Sequence, residues 1–466
     1  MRDGPCVLPA RILAHRLRRR QLTAVEALEA HLERIEKHNP ALHAVVSLDP
    51  DGARKRAAEA DAALRRGEIW GPLHGVPMTL KDAHDVAGLR TTVGTPLFDR
   101  VADEDGTVAA RLRAAGAILI GHTNVPAFLG DHQSANPIFG RTANPWDTER
   151  TPGGSSGGAA AAVAAGMTPL EVGSDFNGSV RLPACFCGVY GLKTTEHRVP
   201  LTGFFRPPPG VPRSVRIVSC LGPLARDLDD LRLALAIIAG PDGQDGDVPP
   251  VPLEPRRRRR LADLRLAVAT TLPGASVARS LRQRVERVTA RASDAGAKVE
   301  ERLPDLDWEA LYELFGDLAG TIAGLFDPNA NLSDEHRTLA WYFEALERRD
   351  GLTFACQRFF EDFDGLILPP AMTPAFTHRK TGDAIEVDGR PASYWGNGLL
   401  AQLCNVTGLP GLAVPAGLDD DGLPIGIQIV GPLWSEMRLL EIARALEQAE
   451  ILPGFQAPPL VRKEKE

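Results

Sequence analysis

The sequence predicts an α/β fold with a largely buried sheet, and three observations lead to this prediction. Short apolar segments alternate with helical ones, as in strand Val76–Leu80, helix Thr107–Ala115 and strand Ala117–Ile120. The 466 residues are 44% hydrophobic and 24% charged, which is the composition of a folded protein with a large core. Alternating strands and helices with continuous apolar strands are typical of sheets covered on both faces.

The first helix is predicted by a capping box and an apolar stripe. Thr23 and Glu26 have the spacing in which each side chain caps the backbone of the other. An apolar residue recurs at helical spacing over Ala24–Lys37, and Asn39-Pro40 is expected to end the helix. Two further elements follow, the strand Ala44–Leu48 and the surface helix Asp51–Arg65.

A composition break divides the chain at Ala239–Arg260, which is rich in Gly, Pro, Asp and Arg and has no periodicity. Its basic run, Arg256–Arg260, is interpreted as a solvated linker rather than a binding patch. The alternating pattern then resumes with strand Arg265–Ala269, helix Val277–Ala295, strand Gly365–Leu368, hairpin strands Leu412–Pro415 and Ile425–Val430, and helix Glu436–Glu447.

Charge and composition exclude several classes of protein. The formal net charge is −7 and the isoelectric point is about 5.9, so a nucleic-acid partner is not expected. No run of about 18 apolar residues predicts a membrane span, and the first 20 residues lack the apolar core of a signal peptide. Six scattered cysteines have neither zinc spacing nor a disulfide framework, which predicts a reducing, cytoplasmic setting.

Two glycine-rich serine loops dominate the segment Thr151–Lys193. Ser155 stands in Gly-Gly-Ser-Ser-Gly-Gly and Ser179 in Asn-Gly-Ser-Val-Arg, with a helical run at Ala159–Ala165 and a strand end at Leu170–Gly173 between them. Glycine lets such a loop present peptide N–H groups to an oxyanion, while serine supplies a hydroxyl. The pattern suggests acyl transfer.

Three other interpretations of the loops are weaker. A phosphate loop would require Gly-Lys-Ser/Thr or Gly-x-Gly-x-x-Gly after a strand, and neither follows. Gly153–Gly157 formally matches Gly-x-Ser-x-Gly, but the segment before it, Asn144–Pro152, is polar and contains two prolines rather than a strand. Small residues that merely allow close packing could explain either loop alone.

A serine nucleophile needs a base, and the residues alone leave its identity open. His74, His84 and His122 lie nearby in sequence, without a carboxylate at an orienting spacing. Lys81 follows an apolar strand and would act as a base if burial lowered its pKa from about 10.4 towards 7–8. An ion pair between Lys81 and a carboxylate such as Asp82 is an equally supported alternative.

At this point three motifs resemble the amidase signature family: Pro77–Asp82, Pro152–Gly158 and Gly173–Pro183. The resemblance covers most of the chain, from the helix at Ala24–Lys37 to the hairpin that ends at Gly431. It implies a single large domain, 1–466, with a central mixed β-sheet sandwiched by helices (α/β/α). Within it, 8–68 would be an N-terminal helical region, 71–238 the core with the catalytic loops, 239–262 a linker-like loop and 263–466 the part completing the sheet.

The resemblance also implies a catalytic triad and a seryl acyl-enzyme, with no metal or cofactor. Ser179 matches the nucleophile, Ser155 the bridging serine after a cis Gly154–Ser155 peptide, and Lys81 the base. Backbone N–H groups of Phe176, Asn177, Gly178 and Ser179 would hold the oxyanion. Ser156, Asp175 and Arg181 match positions that support the loops.

Two positions depart from the family pattern, and both bear on the substrate. Asn177 replaces the first of two glycines before the nucleophile, and Phe176 replaces a smaller residue. Leu129 matches a wall residue of fatty-acid amide hydrolases, and with Phe128, Phe176 and Phe204-Phe205 it would form an apolar, partly aromatic pocket. Simple core packing is an alternative for each phenylalanine.

The predicted function is therefore hydrolysis of a small-molecule amide with an apolar or aryl group. One alternative is the glutaminase subunit of a tRNA-dependent amidotransferase, but its Tyr-rich stretch is missing around 340–352 and its acidic site after the hairpin contains Trp434-Ser435. An esterase or acyl transferase on the same fold, or a non-catalytic binding protein, are further alternatives. The sequence leaves open whether the chain acts as a monomer or a homodimer.

Overall fold

The computed structural model describes residues 4–208, 211, 213–326 and 338–462, so both ends of the predicted domain, 1–466, lie outside the described residues. These residues form one domain around an eight-stranded mixed sheet with the strand order β12-β11-β13-β17-β16-β9-β10-β8. A three-stranded sheet, β1-β5-β2, lies beside it, with β2 against β8. The strands are β1 Val45–Leu48, β2 Pro77–Lys81, β3 Arg90–Thr91, β4 Arg100–Val101, β5 Ile118–Thr123, β6 Ala135–Asn136, β7 Gly140–Arg141, β8 Leu170–Asp175, β9 Tyr190–Lys193, β10 Cys220–Ala225, β11 Arg265–Val268, β12 Lys298–Glu301, β13 Gly365–Leu368, β14 Ile385–Val387, β15 Arg390–Ala392, β16 Gly411–Leu418 and β17 Pro424–Val430.

Helices cover both faces of the large sheet. Ile367 of β13 packs into one apolar cluster with α7 and α12, while its neighbours Leu366 and Leu368 pack into a second cluster with α9 and α11. The period-2 alternation of side chains along a strand explains this division. The helices are α1 Ala10–Arg18, α2 Ala24–Leu42, α3 Pro50–Arg65, α4 Thr107–Ala114, α5 Gly157–Ala165, α6 Arg181–Cys187, α7 Leu228–Ile238, α8 Arg279–Asp294, α9 Trp308–Gly324, α10 Leu339–Asp362, α11 Leu399–Val406, α12 Glu436–Gln448 and α13 Pro459–Arg462.

The predicted α/β/α architecture with a mixed sheet is confirmed, and the predicted strands and helices lie within a few residues of the observed ones. The predicted end of the capping-box helix, α2, at Asn39-Pro40 is wrong. α2 continues through Pro40 to Leu42 and ends at His43, whose φ of 49° closes the helix. A proline in the last turn removes one N–H of the helix but does not prevent two more residues from following.

The composition break forms a fixed surface loop. No helix or strand covers residues 239–260, all of which the structure describes. Arg111 of α4 donates hydrogen bonds to the carbonyls of Ala239, Gly240 and Pro241, and Asp245 accepts one from Leu201 N–H. These contacts attach the loop to the domain.

None of the helices in the described part of the chain is long and apolar enough to cross a bilayer.

The two serine loops and the strand that ends at Lys81 meet where β2 packs against β8. Lys81 is the last residue of β2, Ser155 lies before the start of α5, and Ser179 lies between β8 and α6. The fold therefore brings together three residues that are far apart in sequence.

Candidate active site

The amine of Lys81 is surrounded by hydroxyl groups. Lys81 is completely buried, and its Nζ lies 2.7 Å from Ser155 Oγ, 2.9 Å from Ser156 Oγ and 2.8 Å from Ser174 Oγ. Asp82, the carboxylate considered as its ion-pair partner, instead accepts hydrogen bonds from the backbone N–H and hydroxyl of Thr92. Nζ therefore has serine oxygens, and no carboxylate, at hydrogen-bonding distance within the described residues.

The hydroxyl network indicates where the lone pair of a neutral amine points. The Ser156 hydroxyl donates to the carbonyl of Ser174 at 3.3 Å, so its oxygen must accept from Nζ. A neutral amine has two N–H donors, which can serve Ser156 and the Ser174 hydroxyl. Its lone pair is then directed to Ser155, which can donate its proton to Lys81.

Burial is the main influence on the charge of Lys81. Desolvation lowers the pKa of the amine to about 7, while the nearby carboxylates of Asp175 and Glu171 act in the opposite direction. A lysine in water has a pKa of about 10.4. A substantial fraction of Lys81 is therefore uncharged near neutral pH and able to accept a proton.

We expect kcat/KM to rise with pH through a midpoint of about 7, because the protonated amine cannot accept the proton of Ser155. Below that pH the rate should fall about tenfold per unit. The measurement is the initial rate on a neutral amide substrate between pH 5 and pH 9. A rate that does not depend on pH over this range would contradict the assignment of Lys81 as the base.

The three candidate histidines make other contacts. Burial lowers the pKa of His84 to about 3, and its Nε2 lies 3.1 Å from the carbonyl of Val172. His74 Nδ1 accepts from the Trp70 N–H, and His122 Nδ1 lies 2.9 Å from the carbonyl of Arg90. None of the three forms a hydrogen bond with Ser155 or Ser179 among the described residues.

The two serine loops are in direct contact. The Gly154–Ser155 peptide bond is cis, as the resemblance implies. The Ser156 N–H donates to the carbonyl of Ser179 at 3.2 Å, which joins the loops beside the lysine. Ser179 is 6% exposed, and its hydroxyl makes no hydrogen bond with any residue that the structure describes. Catalytic hydrogen bonds of this kind often form only when substrate binds.

The four N–H groups predicted to hold the oxyanion differ in their availability. The Gly178 N–H donates to Asp175 Oδ1 at 2.9 Å and is already engaged. Those of Phe176, Asn177 and Ser179 make no hydrogen bond within the described part of the chain. Gly178 has a φ of 84°, which a glycine adopts without strain. Gly178 thus contributes to the shape of the loop, and its N–H is not free to bind an oxyanion.

Asp175 and Arg181 form a buried ion pair that supports the loop containing Ser179. Arg181 Nη2 lies 2.9 Å from Asp175 Oδ1, and both side chains are fully buried. Asp175 also accepts from the backbone N–H groups of Val180 and Arg181. Burial alone would raise the pKa of Asp175, but the charge and hydrogen bonds of Arg181, with the charge of Lys193 and a hydrogen bond from Asn405, together keep it well below its usual range. Arg181 further binds Gln428 and Asn405, which ties the loop to β17 and α11.

The unusual Asn177 packs against another glycine. A Cβ atom built on Gly398 would overlap the Asn177 carboxamide, so the side chain occupies space that only a glycine leaves open. Asn177 Oδ1 is buried and has no hydrogen-bond partner among the described residues. No polar contact to this oxygen therefore fixes the carboxamide within the loop that contains Ser179.

An apolar cavity of about 290 Å³ opens beside the serines. Its walls include every residue of the predicted apolar pocket, together with residues that were not predicted from the sequence. Its walls are Phe128, Leu129, Gly130, Ser155, Ser174, Phe176, Phe204, Phe205, Val215, Ser219, Ala319, Ile322, Ala323 and Phe326.

Two kinds of residue were missed by reasoning from the sequence. Ser174, which hydrogen-bonds Lys81, stands inside the second serine motif, so its position near the nucleophile was the available signal. Ala319, Ile322 and Ala323 lie on α9, a helix that was not predicted.

Within the described residues, no group of three or more His, Cys, Asp or Glu side chains could hold a metal ion.

Comparisons with known proteins show the family of the chain. The Amidase family model matches residues 26–316 and 321–440. This chain belongs to the amidase signature family. It is a hydrolase that acts on amide C–N bonds, as predicted from the motifs.

Three relatives of this amidase illustrate the range of the family. The A subunit of glutamyl-tRNA(Gln) amidotransferase from Symbiobacterium thermophilum is 33% identical, and the match covers 95% of this chain and 96% of the relative. A protein from a vestigial complex that reveals the origins of an s-triazine catabolic enzyme is 28% identical, with a TM-score of 0.84 over 96% of this chain and 99% of that chain. 6-Aminohexanoate cyclic dimer hydrolase with bound substrate is 27% identical, with a TM-score of 0.81 over 97% and 99% of the two chains.

Proposed function

We propose that this amidase cleaves a small-molecule amide with an apolar or aryl group, through a covalent ester on Ser179. The observation that carries the proposal is the completely buried Lys81 amine, which is hydrogen-bonded to Ser155 at the edge of an apolar cavity. A buried amine that contacts only hydroxyls is suited to accept a proton, and the adjacent cavity is suited to hold a neutral group.

The proposed reaction moves one proton along a short relay. Neutral Lys81 takes the proton of Ser155, Ser155 takes that of Ser179, and Ser179 Oγ forms a bond to the amide carbon. The proton then returns by the same residues to the leaving nitrogen as the C–N bond breaks, which releases an amine. Water attacks the ester in the same way, releases the carboxylic acid and restores Ser179.

The unpaired N–H groups of Phe176, Asn177 and Ser179 support stabilisation of the tetrahedral intermediate. They belong to the loop that contains Ser179. The negative charge of the intermediate develops on the carbonyl oxygen of the substrate, which binds beside this loop. Preorganised donors of this kind contribute about 10²–10³ in rate each in serine hydrolases. The ion pair of Asp175 and Arg181 keeps the loop in place before substrate arrives.

The composition of the cavity favours an uncharged substrate. Three serines are its polar lining residues among those described, and no charged side chain is present on its walls. Phe205 and Phe326 meet edge to face at 5.3 Å, and both contact Phe98. Aromatic edges and faces arranged in this way pack well against a further ring. An aryl or compact alkyl group therefore fits the site.

Three residues that line the cavity adopt unusual backbone conformations. Phe128, Leu129 and Phe205 have φ values of 54°, 57° and 46°. Non-glycine residues in the left-handed region cost on the order of 1–3 kcal/mol each and concentrate at binding sites. Their clustering supports a ligand-binding role for these residues over simple core packing.

A second candidate is glutamine hydrolysis, since eight similar curated proteins, 31–34% identical to this chain, are A subunits of glutamyl-tRNA(Gln) amidotransferase. Glutamine carries an ammonium and a carboxylate, and burying an unpaired charge in an apolar cavity is costly. The cavity walls offer neither charge a partner among the described residues. The lining of the cavity thus favours a neutral amide over glutamine.

A comparison of substrates tests the proposal. The purified chain is incubated with benzamide, an anilide, a short aliphatic amide and glutamine, and with the ethyl ester of the same aryl acid. We expect faster turnover of the aryl compounds than of glutamine, and an adduct of the acyl mass on the intact protein. Efficient glutamine turnover without aryl turnover would contradict the proposal, and hydrolysis of the ester without hydrolysis of any amide would favour an esterase.

Filling the cavity should lower turnover of large substrates selectively. Ala319→Phe places a ring in the pocket, and we expect kcat/KM for an aryl amide to fall at least about tenfold, since about 1.4 kcal/mol of lost binding produces that change. Turnover of a short aliphatic amide should fall less. Gly316→Leu is the matched control, because Gly316 is on the same helix, is exposed and has open space at its Cβ. Equal losses for both substrates would contradict the assignment of the cavity.

A further inference from the structure

A buried carboxyl group that the proposed reaction does not use lies behind the catalytic lysine. Glu171 of β8 is completely buried, and its Oε1 accepts a hydrogen bond from Thr123 Oγ1 at 3.0 Å. Its Oε2 accepts from the hydroxyl of Thr79. Thr79 stands two residues before Lys81 in β2, and Thr123 is the register partner of Lys81 in β5. The carboxyl is therefore attached to both strands that hold the lysine.

Glu171 has no cation at ion-pair distance among the described residues, and Lys81 is the charge that faces it. Burial raises the pKa of Glu171 to about 8, whereas the two threonine hydrogen bonds and the charge of Lys81 act in the opposite direction. In the same way, the carboxylate of Glu171 favours the charged form of Lys81. The acid and the amine thus titrate over the same pH range.

The other elements packed around this pair add no competing titration near neutral pH. On β10, burial raises the pKa of the Cys220 thiol to about 11. The helix α5 contributes only glycine, alanine and valine. The helix α2 also packs against β2, and burial lowers the pKa of its His31 to about 4. Lys81 also faces Asp175, which Arg181 keeps ionised, and His84, which burial keeps neutral.

Two more groups lie beside the lysine strand. Asp82 is buried and bonded to Thr92, and burial raises its pKa. The His122 ring, on β5, lies 3.8 Å from the Asp82 carboxylate. Neither group is among the charges that act on Lys81 or Glu171.

We propose that Glu171 is a positioning residue of the active site, which shares one proton with Lys81 and holds that proton when the enzyme is active. The inference rests on the role of Lys81 as base in the proposed function. At low pH both groups are protonated, Lys81 as an ammonium and Glu171 as a carboxylic acid, and the enzyme is inactive. Loss of one proton leaves a pair that holds a single proton, either on the amine beside a carboxylate or on the carboxyl beside a neutral amine, and the second arrangement is the active one. The acid limb therefore reports the titration of the pair rather than of Lys81 alone.

The test compares the pH dependence of Ser179 reactivity in the wild type and in Glu171→Gln. The probe is an alkyl fluorophosphonate, which forms a P–O bond to Ser179 and releases fluoride, and intact mass gives the rate of labelling. The amide removes the negative charge that favours the lysine ammonium. We expect the acid limb of the labelling rate to shift to lower pH by about one unit. Glu447→Gln is the control. Glu447 lies on α12, far along the chain from Lys81, and is also a hydrogen-bonded carboxyl, but its partner is Tyr190.

Stability measurements give a readout that is independent of catalysis. An unfolded glutamate has a pKa of about 4.3, and the folded value is raised, so the folded wild type binds more protons between these values. Its stability should therefore fall relative to Glu171→Gln as the pH rises from 5 to 8. Urea unfolding of both proteins at the two pH values measures this difference.

The outcomes separate the two proposals. Two results would overturn the proposal of a shared proton. One is an acid limb of the labelling rate at the same pH in Glu171→Gln as in the wild type. The other is an equal change in the stability of the two proteins between pH 5 and pH 8. Should the Gln variant not fold, Thr123→Val carries the test, because loss of a donor to the carboxylate also favours the protonated acid and moves the limb the same way. Absence of labelling at Ser179 in the wild type would contradict the proposed function instead, and the unfolding comparison would still decide the role of Glu171.

Discussion

Replacing Ser179 with alanine should abolish turnover, with a loss of kcat of at least about 10⁴-fold. The reason is that Ser179 Oγ forms the covalent bond to the substrate, while the neighbouring serines are occupied by the lysine. Ser155 and Ser156 both hydrogen-bond Lys81 Nζ, and neither is placed in the loop with unpaired N–H groups. Hydrolysis of an aryl amide by the purified variant measures the effect.

Mass spectrometry provides the second half of this test. Neither an aryl ester nor an alkyl fluorophosphonate should add mass to the Ser179→Ala protein. The exposed Ser393 supplies the control, since Ser393→Ala should acquire the adduct as the wild type does. A covalent adduct that still forms on the Ser179→Ala variant would show that another residue is the nucleophile.

Replacing Lys81 with methionine should lower kcat by about 10²–10⁴-fold, which is the usual contribution of a general base. Methionine has a similar length and no lone pair that can accept the Ser155 proton. The fold should persist, because burying the amine is itself unfavourable and a methionine at this completely buried position removes that cost. The expected result is thus a stable protein with a very slow reaction.

Lys81→Arg distinguishes loss of the base from loss of a positive charge. Arginine remains charged at any pH used, so it cannot accept a proton, and its activity should be as low as that of the methionine variant. Thermal unfolding and circular dichroism verify that both variants are folded. Near-wild-type activity in either variant would show that the base is a different residue.

The sequence was sufficient to single out the three residues of the proposed triad because their signals are local. Ser155 and Ser179 stand in glycine-rich loops, and Lys81 ends an apolar strand, so each motif can be read from a few neighbouring residues. The choice between a base and an ion pair was not local. It depended on β2 packing against β8, which places Lys81 among hydroxyls and leaves Asp82 with Thr92.

Features that depend on distant parts of the chain were not predictable in this way. The cavity requires α9, whose Ala319 and Ile322 line the same cavity as Ser155 and Ser174 only because of tertiary packing. Glu171 has no sequence motif of its own, since its partners come from two other strands. The engagement of the Gly178 N–H by Asp175 likewise depends on the detailed shape of the loop.

The proposed mechanism requires that a large fraction of Lys81 is uncharged at neutral pH, and titration of its amine tests this requirement most directly. The protein is labelled with ¹³C at the lysine ε-carbon, and the chemical shifts are followed by NMR from pH 5 to pH 11. Lys193 is also buried, so the spectrum of Lys81→Met assigns the resonance. We expect one lysine, absent from that variant, with a midpoint of about 7. A Lys81 resonance that titrates only near the ordinary value of about 10.4 would contradict the mechanism.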